Sequence, residues 1–220
     1  MYYAVIGDIK QSKKLENRSE IQEKLKNVLK NINTLYCEDI SAKFLITLGD
    51  EFQGLLKEAT YLLEIVKYIQ RELYPIELRF GVGVGEIYTK VDCEAAIGAD
   101  GPAFYAARNA ILDIHKQEKK IKQQAADIRI EFYEKEYFEV TEINTMLSLL
   151  KTIEDGWSEK QRNTIWDMME YRDSQEMCAG RQNTTQSTVA RRLSEGKYVV
   201  YNNALETINE TIQRLKYIWM

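Results

Sequence analysis

Apolar and polar positions follow two rhythms along this chain. Tyr2 to Ile6 (YYAVI) is a short β-prone apolar run that breaks at Gly7-Asp8, so a strand is predicted with Asp8 at its C-terminal end. Asn17 or Ser19 can cap a helix whose apolar residues Ile21, Leu25, Val28, Leu29, Ile32 and Leu35 keep the 3.6-residue period. Phe44 to Leu56 (FLITLGDEFQGLL) reads as two apolar runs joined by Gly49-Asp50-Glu51, a hairpin with two adjacent carboxylates at its tip. An amphipathic helix from Glu58 to Leu73 follows, and Pro75 stops it. Glu77 to Tyr88 alternates apolar residues with Gly81, Gly83 and Gly85. Glycines at every second position share one face of a strand and leave room there for a packed helix or a ligand. Ala103 to Lys116 has helical periodicity, and Asp127 to Tyr133 alternates as a strand.

The resulting order is β-α-β-β-α-β-α-β. It predicts a ferredoxin-like or palm arrangement with one extension, an antiparallel sheet with helices on one side. From about Val140 no further strand is convincing. Met146 to Ile153, Glu159 to Met169, Thr185 to Leu193 and Tyr201 to Tyr217 read as helices. The fold class expected is therefore α+β, a sheet domain over residues 1–139, a connector helix over 140–156 and an all-α domain over 157–220.

Composition narrows the function classes. With 45% apolar residues the chain of 220 can build a sizeable core, and no run of about 18 apolar residues suggests a membrane span. Cys37, Cys93 and Cys178 are widely spaced and unaccompanied by histidines, which favours free thiols, a cytoplasmic location and no structural zinc. His115, the one histidine, is expected on a helix surface. A net charge of −4 argues against a chain that binds nucleic acid over its whole surface, while leaving room for a local basic patch.

The acids at the strand end and hairpin tip carry the first candidate chemistry. A palm would bring Asp8 beside Asp50 and Glu51, and carboxylates held together repel unless a cation such as Mg²⁺ (or Mn²⁺) lies between them. The backbone of Ile9, Lys10, Gln11 and Ser12, together with the Gly49 turn, could then receive the phosphates of a nucleoside triphosphate or other nucleotide. An ordinary solvated Asp-Glu turn is the plain alternative.

VIGDIKQS, TLGDEFQG, LRFGVGVG and AFYAARNA, in that order, resemble a shortened class III nucleotide cyclase domain. The same order followed by a C-terminal helix-turn-helix is similar to the bacterial SatD family. That resemblance implies that Asp8 and Asp50 are metal-binding aspartates and that Arg108 is the arginine contacting triphosphate in the transition state. It also implies a homodimer, because the cyclases' sites lie between two such domains. Phe104 stands at the position of the cyclases' transition-state asparagine, and Phe44 at that of the purine-selecting lysine. Losing a group that acts mainly in the transition state lowers rate more than binding, so nucleotide binding is expected rather than cyclisation.

Thr185 to Leu205 (TQSTVARRLSEGKYVVYNNAL) carries the second. Val189, Ala190 and Leu193 form the inner face of one helix and Gly196 the turn. Val200, Ala204 and Ile208 would pack the next helix. Gln186, Ser187, Arg191, Arg192, Lys197, Tyr198, Tyr201, Asn202 and Asn203 would then face DNA, with Arg181 nearby. A helical bundle used for dimerisation shares these features. The expectation is a regulator that binds Mg²⁺ and a nucleotide through the palm and DNA through the helix-turn-helix. The alternatives are a working nucleotidyl cyclase or related phosphoryl-transfer enzyme and a non-catalytic protein-interaction scaffold.

Overall fold

The computed structural model describes residues 1–121 and 126–219. The elements are β1 (Tyr2–Ile9), α1 (Arg18–Leu35), β2 (Ile40–Leu48), β3 (Glu51–Leu56), α2 (Leu62–Leu73), β4 (Leu78–Gly85), α3 (Pro102–Ile121) and β5 (Ile128–Phe132). Five helices complete the chain: α4 (Phe138–Asp155), α5 (Glu159–Tyr171), α6 (Gln175–Arg181), α7 (Gln186–Glu195) and α8 (Tyr198–Trp219). The five strands form one sheet in the order β2-β3-β1-β4-β5. Its first four strands are antiparallel neighbours, the split β-α-β pattern expected of a ferredoxin-like palm.

Two expectations about the sheet are corrected. β5 runs parallel to β4, because α3 joins them as a crossover and such a connection returns the chain in the same direction, so the sheet is mixed. The helices also lie on both faces. Tyr3, Val5 and Ile9 of β1 pack into a core with α1 and α2, whereas Ala4 and Ile6 pack with Ala103, Phe104, Ala107 and Ile111 of α3. The glycine face of β4 is what admits α3. A Cβ on Gly83 would lie 1.9 Å from the Ala103 carbonyl oxygen, and one on Gly81 2.1 Å from that of Ala107. Helix backbone thus rests directly on strand backbone.

The sheet's outer strands are closed by the same device. Asn33 of α1 accepts from the Phe44 N–H at 2.8 Å and donates to its carbonyl at 2.9 Å on β2. Asn144 of α4 does the same to Ile130 on β5, at 2.8 Å in both directions. Each amide occupies one residue's worth of otherwise unpaired strand backbone.

Beyond Phe132 the described residues are helical apart from turns, and their core is continuous with the sheet's. One apolar cluster runs from Tyr3 and Val5 through α1 and α2 to Ile143, Ile165, Val189, Tyr201 and Ile212. The Tyr3 hydroxyl donates to the Ile212 carbonyl at 3.5 Å. Among the described residues no helix is long and apolar enough to cross a membrane.

Candidate functional site

Strand register builds the first site. Asp8, at the end of β1, is paired with Glu51 on β3 and Arg79 on β4, and cross-strand partners share a face. That face is the one α3 covers. Arg108, Ile111, His115 and Glu118 recur along α3 at helical spacing, so one stripe of the helix reaches all three strands. Arg108 donates to Glu51 at 3.3 Å, and its side chain remains 56% exposed. His115 Nε2 lies 3.1 Å from Asp8 Oδ2. Arg79 Nη1 donates to Asp8 Oδ1 at 3.2 Å, and its Nε and Nη2 donate to Glu118 at 2.9 and 2.6 Å. Glu118 also faces Lys10 at 3.3 Å. Burial pushes the Glu118 carboxyl up, and Arg79 with Lys10 more than cancels it, leaving it below the ordinary range.

The structure separates the expected site residues into groups. Asp8 and Glu51 are brought together as strand partners. Asp50 lies one residue beyond this pairing, half-buried in the turn, with no side-chain partner among the described residues. Gly49 takes φ +65° there and its carbonyl accepts from Gln22 at 2.6 Å. Ile9 is buried at the end of β1. The Lys10 N–H donates to the Glu77 carbonyl, and its side chain turns inward to Asp127 and Glu118, so Lys10 is committed within the chain. Gln11 is exposed in the left-handed region at φ 52°, and Ser12 opens a short 3-10 turn, Ser12–Lys14. Phe44 and Phe104 are both buried in apolar cores.

Periodicity carries a signal for the three members not expected from sequence, Arg79, His115 and Glu118. Arg79 shares the glycine face by its alternation with Gly81, and His115 lies two helical turns beyond Arg108, on the same stripe. His115 is accordingly half-buried against Asp8 rather than a free surface group.

Oxygen donors of the kind a hard divalent cation takes lie at this rim, two of them already engaged by Arg79, His115 and Arg108. Asp8 and Glu51 offer carboxylate oxygens on adjacent strands and Asp50 is unpartnered among the described residues, while Mg²⁺ commonly takes one or two protein carboxylates and completes its shell with phosphate and water. Among the described residues no three His, Cys, Asp or Glu side chains converge, so the chain does not supply a complete cage.

The second site lies in the last third of the chain. Trp157 is buried and Ser158 caps α5 in a capping box with Gln161. Residues 182–185 form a four-residue turn between α6 and α7, and Thr185 caps α7. Helix α6, seven residues long, had no legible period; it meets α7 through this turn, while α7 and α8 meet at Gly196-Lys197, where the turn was expected. Gln186, Ser187, Arg191 and Lys197 are exposed. Arg192 turns inward and donates to Gln182 at 3.0 Å and Thr164 at 3.3 Å. Arg181 is held by Asp167 and Asp173.

Two tyrosines expected on the outer face of α8 are placed otherwise, while Asn202 stays at the surface. Tyr201 is buried, its hydroxyl donating to Glu154 and its ring 4.8 Å from that of Trp157. Tyr198 is partly buried against the core, and Asn202 donates to Glu206 at 2.8 Å. The inward stripe is Tyr201, Leu205, Ile208, Ile212 and Leu215, which leaves Val200 62% exposed. Asn203 is exposed as expected.

Residues 2–212 match the SatD family model. The chain belongs to the SatD family. No curated protein matches this SatD-family chain in sequence. Two solved structures of bacterial light-regulated adenylyl cyclases overlap it at 11% and 9% identity, with TM-scores of 0.42 and 0.40. They cover 59% and 67% of this chain and 74% and 56% of their own. A guanylyl cyclase crystal structure overlaps it at 12% identity and TM-score 0.34, over 50% of this chain and 68% of that one.

Proposed function

We propose that this protein is a nucleotide-responsive DNA-binding regulator, whose sheet half binds a nucleotide with Mg²⁺ and whose helices α6 and α7 bind DNA as a homodimer. The observation that carries it is α6–turn–α7: two helices joined by four residues, with α7 offering Gln186, Ser187 and Arg191 outward and no acid in its first turn. Residues 186–203 hold Arg191, Arg192 and Lys197 against Glu195 alone, in a chain of net charge −4. Helix α7 is the one that enters the groove in this reading, since buried Tyr201 and partly buried Tyr198 take much of the start of α8 out of contention.

In the sheet half, Asp8, Glu51 and Asp50 would hold the cation, which when bound neutralises phosphate charge. Arg108, exposed beside Glu51, would meet the phosphates. Binding is favoured over turnover because Phe44 and Phe104 are buried apolar residues and supply neither base recognition nor a transition-state donor.

Two measurements test the halves separately. Titration calorimetry with nucleoside triphosphates and Mg²⁺ should give heat that Asp50→Ala removes; no heat in either protein sinks the nucleotide half. Arg191→Ala should weaken retardation of duplex DNA and reduce the salt slope of binding by about 1. No retardation of any duplex by the native protein at low salt sinks the DNA half, because even non-specific association is visible there.

A further inference from the structure

Seven titratable side chains gather where the sheet half meets the helical half, and apart from Lys10, which also reaches Glu118, they lie away from both proposed sites. Asp127, just before β5, faces Lys10 and, at 3.6 Å, Lys151 of α4, which in turn pairs with Asp155. One turn of α4 from Lys151, Glu154 pairs with Lys67 of α2 and accepts from the Tyr201 hydroxyl of α8. The Glu154 backbone carbonyl accepts from Arg162 of α5 at 3.0 Å. A single residue therefore touches α2, α5 and α8 besides its own helix.

Buried ion pairs are a poor source of stability, because desolvation offsets most of the attraction and an apolar pair of similar volume often does as well. They differ from apolar contacts in being directional. What the Glu154 contacts fix is the rotation of α8, and the contacts beyond them show what that rotation governs. Tyr201 stacks edge-on against Trp157, and Trp157 Nε1 donates to the Gly196 carbonyl at 2.7 Å. Gly196 is the corner between α7 and α8, and it is tight: a Cβ there would lie 2.6 Å from Ile165 Cδ1. At the other end, Lys67 stands on a helix whose Leu62, Ile65, Val66 and Ile69 are buried against the sheet.

We propose that Glu154 is a positioning residue for α7: through Lys67 and Tyr201 it registers α8 and the Trp157–Gly196 corner on the sheet half, so that the sheet half sets where the DNA-facing helix sits. The DNA clause rests on the function proposed above, and the positioning clause does not.

Hydrogen exchange separates the two. The Gly196, Lys197 and Tyr201 amides bond to Arg192, Ser194 and Lys197 carbonyls and report the corner directly. Tyr201→Phe and Glu154→Gln should each speed exchange at these amides at least tenfold while the amides of β1 and β4 exchange as in the native protein. DNA affinity should fall about tenfold with the salt slope unchanged, since no phosphate contact is removed. The double variant Lys67→Met with Glu154→Leu, which replaces the pair by apolar groups and leaves the Tyr201 hydroxyl without its acceptor, should not restore protection of the corner. Unchanged exchange at the corner overturns the proposal, and so does an increase spread equally over β1 and β4. Protection and affinity restored by the apolar double variant overturn it as well. A native protein that retards no DNA overturns the DNA clause, while the exchange comparison still decides the positioning.

Discussion

Cys178 and Asp8 show how far one residue's surroundings set its chemistry. Cys178 is buried, and burial followed by its hydrogen bond to Asp167 pushes the thiol up to about 12. Cys37 and Cys93 are exposed. Thiolate is the reactive form, so a disulfide reagent at mildly alkaline pH should label two thiols of the native protein quickly and the third only on unfolding; three fast thiols would refute this placement. Asp8 is held by Arg79 and His115 within 3.4 Å, whereas Asp50 is unpartnered among the described residues. Asp8→Asn should therefore lower thermal stability, by about 1–3 kcal/mol for a charged hydrogen-bond partner removed, and Asp50→Asn by far less. Equal losses in a melting experiment would contradict this division.

At the scale of elements, α3 is where packing is most exacting. The β4 glycines let its backbone approach to a distance at which a methyl group has no room. Gly83→Ala must displace α3 and should cost about 3 kcal/mol in urea denaturation, the upper part of the range for overpacking. Gly180→Ala, in α6, meets nothing within 4 Å and should be neutral or slightly stabilising. The edge amides give a different expectation. Asn144→Ala leaves the Ile130 N–H and carbonyl of an outer strand without the partner they have, so concentration-dependent association on light scattering should increase more than melting temperature falls. An unchanged scattering profile would show that α4 shields β5 without its asparagine.

For the whole molecule, the continuous core predicts cooperative unfolding. All three tryptophans lie at or after position 157, so their fluorescence follows the helical half while far-ultraviolet circular dichroism follows the entire chain. The two urea transitions should coincide, and separated midpoints would mean that the halves unfold independently. Acid should act at the junction. Burial pushes the Glu154 carboxyl up, but Lys67, helped by Tyr201 and Lys151, more than offsets it and holds it below the ordinary range. Such a group contributes stability that is present above its unfolded pKa and is lost as pH falls through the folded one; Glu118 acts in the same direction. Asp127 opposes them. Its burial outweighs Lys10 and Lys151 and raises its carboxyl, which favours the folded state at low pH. Glu154→Gln should accordingly be less stable near neutrality and lose less between about pH 6 and about pH 3, read from urea midpoints, whereas parallel curves would mean the carboxylate is not depressed.

Local periodicity determined much of this protein by itself. The alternation around Gly81 and Gly83, the helical stripe of α1 and the hairpin at Gly49 are each set by neighbours in sequence, and they were legible there. The order of elements followed from them. Partnership across the fold was not. That Asp8 meets Glu51 rather than Asp50 depends on a one-residue register, and that α3 lies opposite α1 and α2 depends on which face the glycines leave open. The inward turn of Tyr201 depends on Glu154, 47 residues away. A helix sequence shows which residues form an apolar stripe but hardly the stripe's width, and at the end of α8 a tyrosine fits either face. Only a buried carboxylate supplied by another helix decides it, because a hydroxyl goes where its hydrogen bond can be satisfied.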